Sequence, residues 1–316
     1  MSVLPTAPAA TQVDAGGAGG EPASPRPRPG LAGAARAGMA ALAAVPLGGC
    51  AWRPGFFDAA GPVAAAQADH FRFVTLVMLA VCAPLFLALP VVLWTWRRGG
   101  RGPWRPDWSG SRAVEAVVWG VPAVVLVVLG TQLWRRTMEF DPQAPLGPAP
   151  LEVRAVMLDR HSLFLYPAQG VASLDRLVLP RGRPVTLELT SSGVMRSLAI
   201  PRLAGQVYAM GGMATRLNLR ADQVGTFEGR NMQYDGPGFP REGFAVAVEP
   251  PERFEAWLAQ TRAQAPTMSP EAYAALSAPP AAEAPRVFSA YPAGLFDQVL
   301  AATRGEAPPP GGEGAR

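Results

Sequence analysis

FVTLVMLAVCAPLFLALPVVLWTW, from Phe73 to Trp96, is the stretch that decides how this chain is read. It is apolar throughout and exceeds the roughly 20 residues that cross a bilayer core at about 1.5 Å rise each. A second run of the same kind, AVEAVVWGVPAVVLVVLGTQLW, follows from Ala113 to Trp134. Between the two, Arg97, Arg98, Arg101, Arg105 and Arg112 face a single acid, Asp107. A short arginine-rich loop stays on the cytoplasmic side. The expectation is therefore a hairpin of two transmembrane helices over 71–136, with loop 97–112 inside and both flanks outside. Pro84, Pro90 and Pro122 should loosen or kink their turns. Trp94, Trp96 and Trp134 fall where interfacial belts lie. Glu115, in the first turn of the second helix, suits the positive helix end. It reads as a cap or as a possible contact to a basic group on a partner, rather than as part of a proton path.

Outside the hairpin the composition is uneven. The 316 residues include 34 glycines and 35 prolines, and the formal charge is +4. The glycine and proline excess sits in the tails and linkers, which places those segments outside a packed core. The arginines are dispersed or explained by membrane topology, and no base-reading motif accompanies them, so nucleic acid is excluded as a partner. Arg26, Arg28 and Arg36 precede a modest apolar run from Met39 to Leu47, closed by Leu47-Gly48-Gly49-Cys50. A basic start, a short apolar core and small residues before a cysteine resemble a bacterial lipoprotein signal. Residues 1–49 are accordingly read as a disordered extension and signal peptide. Cys50 is read as the site of lipidation, and 50–70 as an outer-face segment anchored by membrane lipid. Cys82 lies mid-helix, so it cannot pair with Cys50 and reads as inert packing.

After a proline-rich linker at 137–150 the pattern becomes that of strands. Leu151, Val153, Ala155 and Met157 alternate with Glu152 and Arg154. Short runs follow at 163–166, 174–179, 185–190, 196–200, 213–219, 225–228 and 244–248, with turn residues between them. Many short strands over 151–249 read as an all-β sandwich. Pro250-Pro251 ends it. Helical spacing of Phe254, Trp257 and Leu258, a start signal at Ser269-Pro270-Glu271, and the run Tyr291, Leu295, Phe296, Val299 and Leu300 give a small helical C-terminal extension over 250–302. This extension is expected to pack on the outer face of the sandwich or on a partner. Residues 303–316 read as a disordered tail.

Four segments carry a resemblance. They are VVWGVP (Val117–Pro122), TSSGVMRSLAIPRL (Thr190–Leu203), QVYAMGGMATRL (Gln206–Leu217) and GTFEGRNMQYDGPGF (Gly225–Phe239). In order, spacing and topology the chain resembles the second subunit of bacterial haem–copper terminal oxidases, over roughly 45–300. The resemblance implies a cupredoxin-like sandwich. Copper-bearing members of that family, which accept electrons from cytochrome c, hold a dinuclear copper centre in this domain. It uses two cysteines, two histidines, a methionine and a glutamate carbonyl. Carried over position by position, the first histidine falls on Arg196 and the cysteines on Asn231 and Asp235. The glutamate falls on Gln233, the second histidine on Phe239 and the methionine on Glu242. The domain has no thiolate, so soft copper ligands are missing. Arg196 and Asp235 could pair across the old pocket if hydrogen bonds offset the desolvation.

This pattern resembles the quinol branch, the cytochrome bo-type ubiquinol oxidases, in which the fold is kept and the copper is gone. The resemblance implies a non-metal-binding subunit of a proton-pumping oxidase that couples quinol oxidation to reduction of oxygen to water. No catalytic site and no cofactor are expected in this chain. Haems, copper and quinol would belong to a large subunit I, which this chain would brace in the bacterial inner membrane with its C-terminal domain in the periplasm. Two alternatives remain at this point: a copper-bearing cytochrome c oxidase subunit, and a free-standing cupredoxin-like lipoprotein binding module.

One departure from the family is the stretch Asp159-Arg160-His161-Ser162, where tryptophans are common. His161 reads there as a surface or partner contact and not as half of an acid–base pair. Asp175, Arg176, Arg181, Arg183, Arg202 and Arg216 read as solvated or rim charges. The glycine-rich turns lack the lysine of a phosphate loop.

Overall fold

The computed structural model describes residues 55–103, 106–139, 144–236, 238–277 and 286–305. Cys50 and the signal-like segment before it lie outside these residues. Helix α1 spans Pro62–Thr95 and helix α2 spans Arg112–Glu139. Both are long and apolar enough to cross a membrane. All three expected prolines lie inside continuous helices.

α1 begins well before the apolar run. Pro62 takes a first-turn position, where its missing N–H costs nothing, and the alanine-rich segment after it favours helix. Its 34 residues reach about 50 Å, against a hydrocarbon core of about 30 Å, so its first turns stand clear when the apolar run spans the bilayer. Those turns dock on the outer domain through buried Ala64 and Ala68. Just upstream, the Ala60 N–H donates to Arg202 O at 2.7 Å and Ala60 O accepts from Asp222 N at 2.8 Å. Gly61 allows this approach, because a Cβ there would lie 2.2 Å from Arg220 O. The apolar surfaces farther along α1, and those of α2, are left uncovered within the chain, as Phe86 and Trp119 illustrate.

Among the described residues the outer domain is a sandwich of eleven strands. In chain order they are β1 Leu151–Met157, β2 Ser162–Tyr166, β3 Val171–Leu174, β4 Arg176–Pro180, β5 Pro184–Ser191 and β6 Arg196–Ile200. Then come β7 Ala204–Ala209, β8 Thr215–Arg220, β9 Gly225–Asn231, β10 Gly243–Glu249 and β11 Val287–Phe288. One sheet runs β11-β3-β2-β1-β5-β8 and the other β4-β10-β9-β6-β7. β1 pairs parallel with β5, and β4 parallel with β10; the other pairings are antiparallel.

The alternation expected of β1 is present. Leu151, Val153, Ala155 and Met157 enter the core between the sheets, together with Leu187, Leu198 and Val246. Helix α3, Pro251–Gln264, adds Phe254 and Leu258 to that core. Tyr166 is fully buried in it, and its hydroxyl both donates to Val178 O (3.0 Å) and accepts from Val178 N (2.8 Å). Burial pushes this phenol above its ordinary range.

Two strand expectations need correction. The single run at 174–179 is two strands in different sheets, divided at Asp175, which adopts φ 54°. Aspartate enters this left-handed region more readily than most residues. β7 was not expected, because AGQVYA has only a weak apolar alternation.

Helices α4, Pro270–Ser277, and α5, Leu295–Arg304, cover the outer face of the six-stranded sheet. Leu276, Phe288, Leu295, Phe296 and Val299 pack there on Val156, Leu163, Leu165 and Leu174. Of the two placements the sequence allowed for this extension, the sandwich face is the one observed. α5 is tied at its end: Thr303 Oγ1 accepts from Gly212 N at 2.6 Å, and Arg304 Nε donates to Gly212 O at 2.5 Å.

Candidate functional site

The site grows from the start of β6, the end of β9 and the loop that joins β9 to β10. Antiparallel pairing sets Leu198 opposite Asn231, which brings Arg196 beside that loop. Asn231 is buried and organises it. Its Oδ1 accepts from the backbone N of Ser197 (3.0 Å) and of Gln233 (3.0 Å). Its Nδ2 donates to Asp235 Oδ2 (3.2 Å) and Glu242 Oε2 (2.8 Å). The Ser197 hydroxyl closes the turn by accepting from Met232 N at 3.0 Å.

Arg196 and Asp235 form the ion pair that the sequence allowed. Arg196 Nε lies 2.6 Å from Asp235 Oδ2, with side chains 5% and 2% exposed. A second nitrogen of the same guanidinium reaches Asp159 Oδ1 at 3.2 Å. Asp159 was not singled out in the sequence, because nothing local to it signals a partner in β6. Asp159 and Asp235 thus share one guanidinium, and Glu242 joins them through Asn231. Burial, then the negative charge of Asp235, raise the Glu242 carboxyl above its ordinary range, while its bond from Asn231 and the charge of Arg196 oppose the shift. The Oδ1 of Asp235 is buried without a partner.

Other candidates lie apart from this network. Gln233 joins it only through its backbone N–H. Phe239 opens a short 3-10 turn, Phe239–Arg241, and stacks edge-on with Tyr234 at 5.7 Å between centroids. Glu115 is exposed in the first turn of α2.

His161 departs from expectation. It is buried, and its Nδ1 lies 2.5 Å from Asp175 Oδ2, while Asp175 Oδ1 accepts from Ser162 N at 2.8 Å. It is therefore one half of a histidine–carboxylate pair. Asp175 is correspondingly no rim charge: burial raises its carboxyl above the ordinary range, against the bonds from Ser162 and His161. This pair fixes the corner where the chain changes sheets, which no local pattern in the sequence revealed. Arg202 is also not simply solvated. It pairs with Asp58 at 2.7 Å and lies 4.5 Å over the Phe227 ring.

A family model described as COX Aromatic Rich Motif matches residues 262–302, the segment that covers the outer sheet. The cytochrome bo(3) ubiquinol oxidase subunit 2 of Pseudomonas aeruginosa is 35% identical over 257 residues, covering 80% of this chain and 77% of that protein. This chain belongs to the quinol oxidase subunit 2 family. Ubiquinol oxidase subunit 2 of Acetobacter aceti is 32% identical, covering 77% of this chain and 81% of its own length. Among solved structures, the periplasmic domain of cytochrome oxidase subunit II of Bradyrhizobium japonicum is similar over 36% of this chain and 95% of its own, at 19% identity and a TM-score of 0.35.

In this member of the quinol oxidase subunit 2 family, the donor chemistry of the network does not fit a dinuclear copper centre. A guanidinium offers no lone pair, and the Asn231 amide nitrogen is already a hydrogen-bond donor. Thiolates, which copper of this kind requires, are not supplied: among the described residues the free cysteine is Cys82, inside α1. The arrangement can hold charge and shape in a turn. No electron-transfer step can be built from these side chains.

Proposed function

We propose that this chain is the copper-free second subunit of a quinol oxidase, and that it braces a large haem–copper subunit without carrying electrons itself. The observation that supports this most directly is the Arg196–Asp235–Asn231–Glu242 network, set on positions that match the copper ligands of the family's cytochrome c-oxidising branch. The relatives' names supply quinol, and for several of them ubiquinol, as the substrate of the complex. Quinol oxidation, oxygen reduction and proton pumping would then occur on the large subunit, where haems and copper reside.

The uncovered apolar faces of α1 and α2 are the surfaces that such a partner and membrane lipid would cover. Exposed Val194, Met195, Met232 and Tyr234 lie on loops that β6 and β9 bring to the end of the sandwich holding the network. They form an apolar rim suited to the outer surface of the large subunit. The arginine-rich loop argues for a cytoplasmic turn and a periplasmic outer domain in the bacterial inner membrane. Cys50 would carry lipid, and Glu115 would meet a basic group on a partner. Gentle detergent extraction through a tag on this chain tests the reading. A stoichiometric haem-containing membrane protein should co-purify, and recovery of this chain without haem would refute it.

A further inference from the structure

Where the outer end of the hairpin meets the sandwich there is a groove of about 730 Å³. That volume lies within the ~300–1,000 Å³ usual for small-molecule sites. Val63, Phe71 and Val74 of α1 face Leu133 of α2 across it, and Leu217 of β8 closes its upper end. The walls are mainly apolar, with polar Gln67, His70, Arg136, Thr137, Gln206 and Asn218 among them.

Three features together define its occupant. The first is depth. The groove floor at Phe71, Val74 and Leu133 coincides with the outer boundary of the two apolar runs, where lipid headgroups lie. The second is an orphan. Nδ1 of His70 is buried with no hydrogen-bond partner, and such atoms in folded proteins are nearly always partnered. The third is charge. Among the described residues Arg136 makes one ion pair, to Glu139 at 3.0 Å, which engages part of a guanidinium with five donors. Gly205 contributes by absence: a Cβ there would lie 2.8 Å from Nε2 of Gln67, so the bare backbone of β7 lets that amide lie across the groove wall.

We propose that this groove seats one membrane phospholipid. Its phosphodiester lies against Arg136 and His70, and an acyl chain runs along Phe71, Val74 and Leu133 into the outer leaflet. A phosphodiester is an anionic acceptor, which matches a guanidinium and an imidazole N–H. A quinol headgroup must place two O–H donors and gains less from a cation. The seated lipid would fill the wedge between the hairpin and β7–β8 and fix the angle at which the outer domain stands on the membrane.

The test uses the full chain purified in mild detergent, stripped of lipid and titrated with phosphatidylglycerol, with bound lipid counted by native mass spectrometry. Wild type should retain one phosphatidylglycerol per chain. Ala66→Trp, which fills the groove from α1, should abolish that binding. Arg136→Gln should weaken it by about tenfold, as expected for loss of one charged hydrogen bond. Should Ala66→Trp fail to fold, Arg136→Gln decides alone. The proposal is overturned if wild type retains no lipid, if a folded Ala66→Trp binds as much as wild type, if Arg136→Gln binds undiminished, or if ubiquinol displaces phosphatidylglycerol mole for mole.

Discussion

Nε of Arg196 and Oδ2 of Asp235 lie 2.6 Å apart, and both side chains are almost wholly removed from solvent. Removing one charge from such a pair leaves the other buried and uncompensated. Arg196→Met is therefore expected to cost about 3–5 kcal/mol, whereas the double variant Arg196→Met/Asp235→Leu recovers most of the loss. Thermal unfolding of the full chain in detergent measures both. Equal stability of Arg196→Met and wild type would mean that the pair is open in solution.

Glu242 gives the same network a pH dependence. A carboxyl whose folded value is raised binds more protons folded than unfolded. Its stability contribution is complete at low pH and falls as pH rises from the ordinary carboxyl range through the folded value. Glu242→Gln keeps an acceptor for Asn231 and removes the titrating charge beside Asp235. The variant should melt higher than wild type at pH 8 and no differently near pH 4. Asp175, also raised by burial, should leave a slope of the same sign. An identical pH profile for variant and wild type would show that Glu242 holds no proton.

Asp175 itself combines a backbone role with a side-chain role. With φ 54° and a bond from Ser162 N, Asp175→Asn should be mild, since asparagine tolerates that region and keeps the acceptor. Asp175→Ala adds about 1–2 kcal/mol of left-handed strain to about 1–3 kcal/mol for the orphaned N–H. Denaturant unfolding of the two variants measures the sum of these costs, and equal losses would exclude both contributions.

These residues mark how far the sequence could be read. The membrane hairpin was plain because its signal is local and long: two apolar runs and a basic loop. β1 was equally legible through its alternation. The corner at Asp175, the burial of His161 and the reach of Asp159 to Arg196 were not, since each depends on which strands become neighbours. The early start of α1 was missed for a related reason. The segment before Phe73 is only modestly apolar, and its helix is held by packing of Ala64 and Ala68 on the outer domain.

Tyr166 offers a check on the core. Its hydroxyl serves both polar groups of Val178, so Tyr166→Phe leaves a buried N–H and carbonyl without that partner. A loss of about 1–3 kcal/mol is expected, with the fold retained. Far-ultraviolet circular dichroism with a melting curve measures it, and an unchanged melting temperature would show that β4 finds another partner.

Oxygen consumption by the particle purified through this chain tests the central claim most directly, with electrons offered from quinol or from reduced cytochrome c. An outer domain without an electron-accepting centre predicts rapid consumption with quinol and none above background with cytochrome c. Turnover driven by cytochrome c would contradict the account.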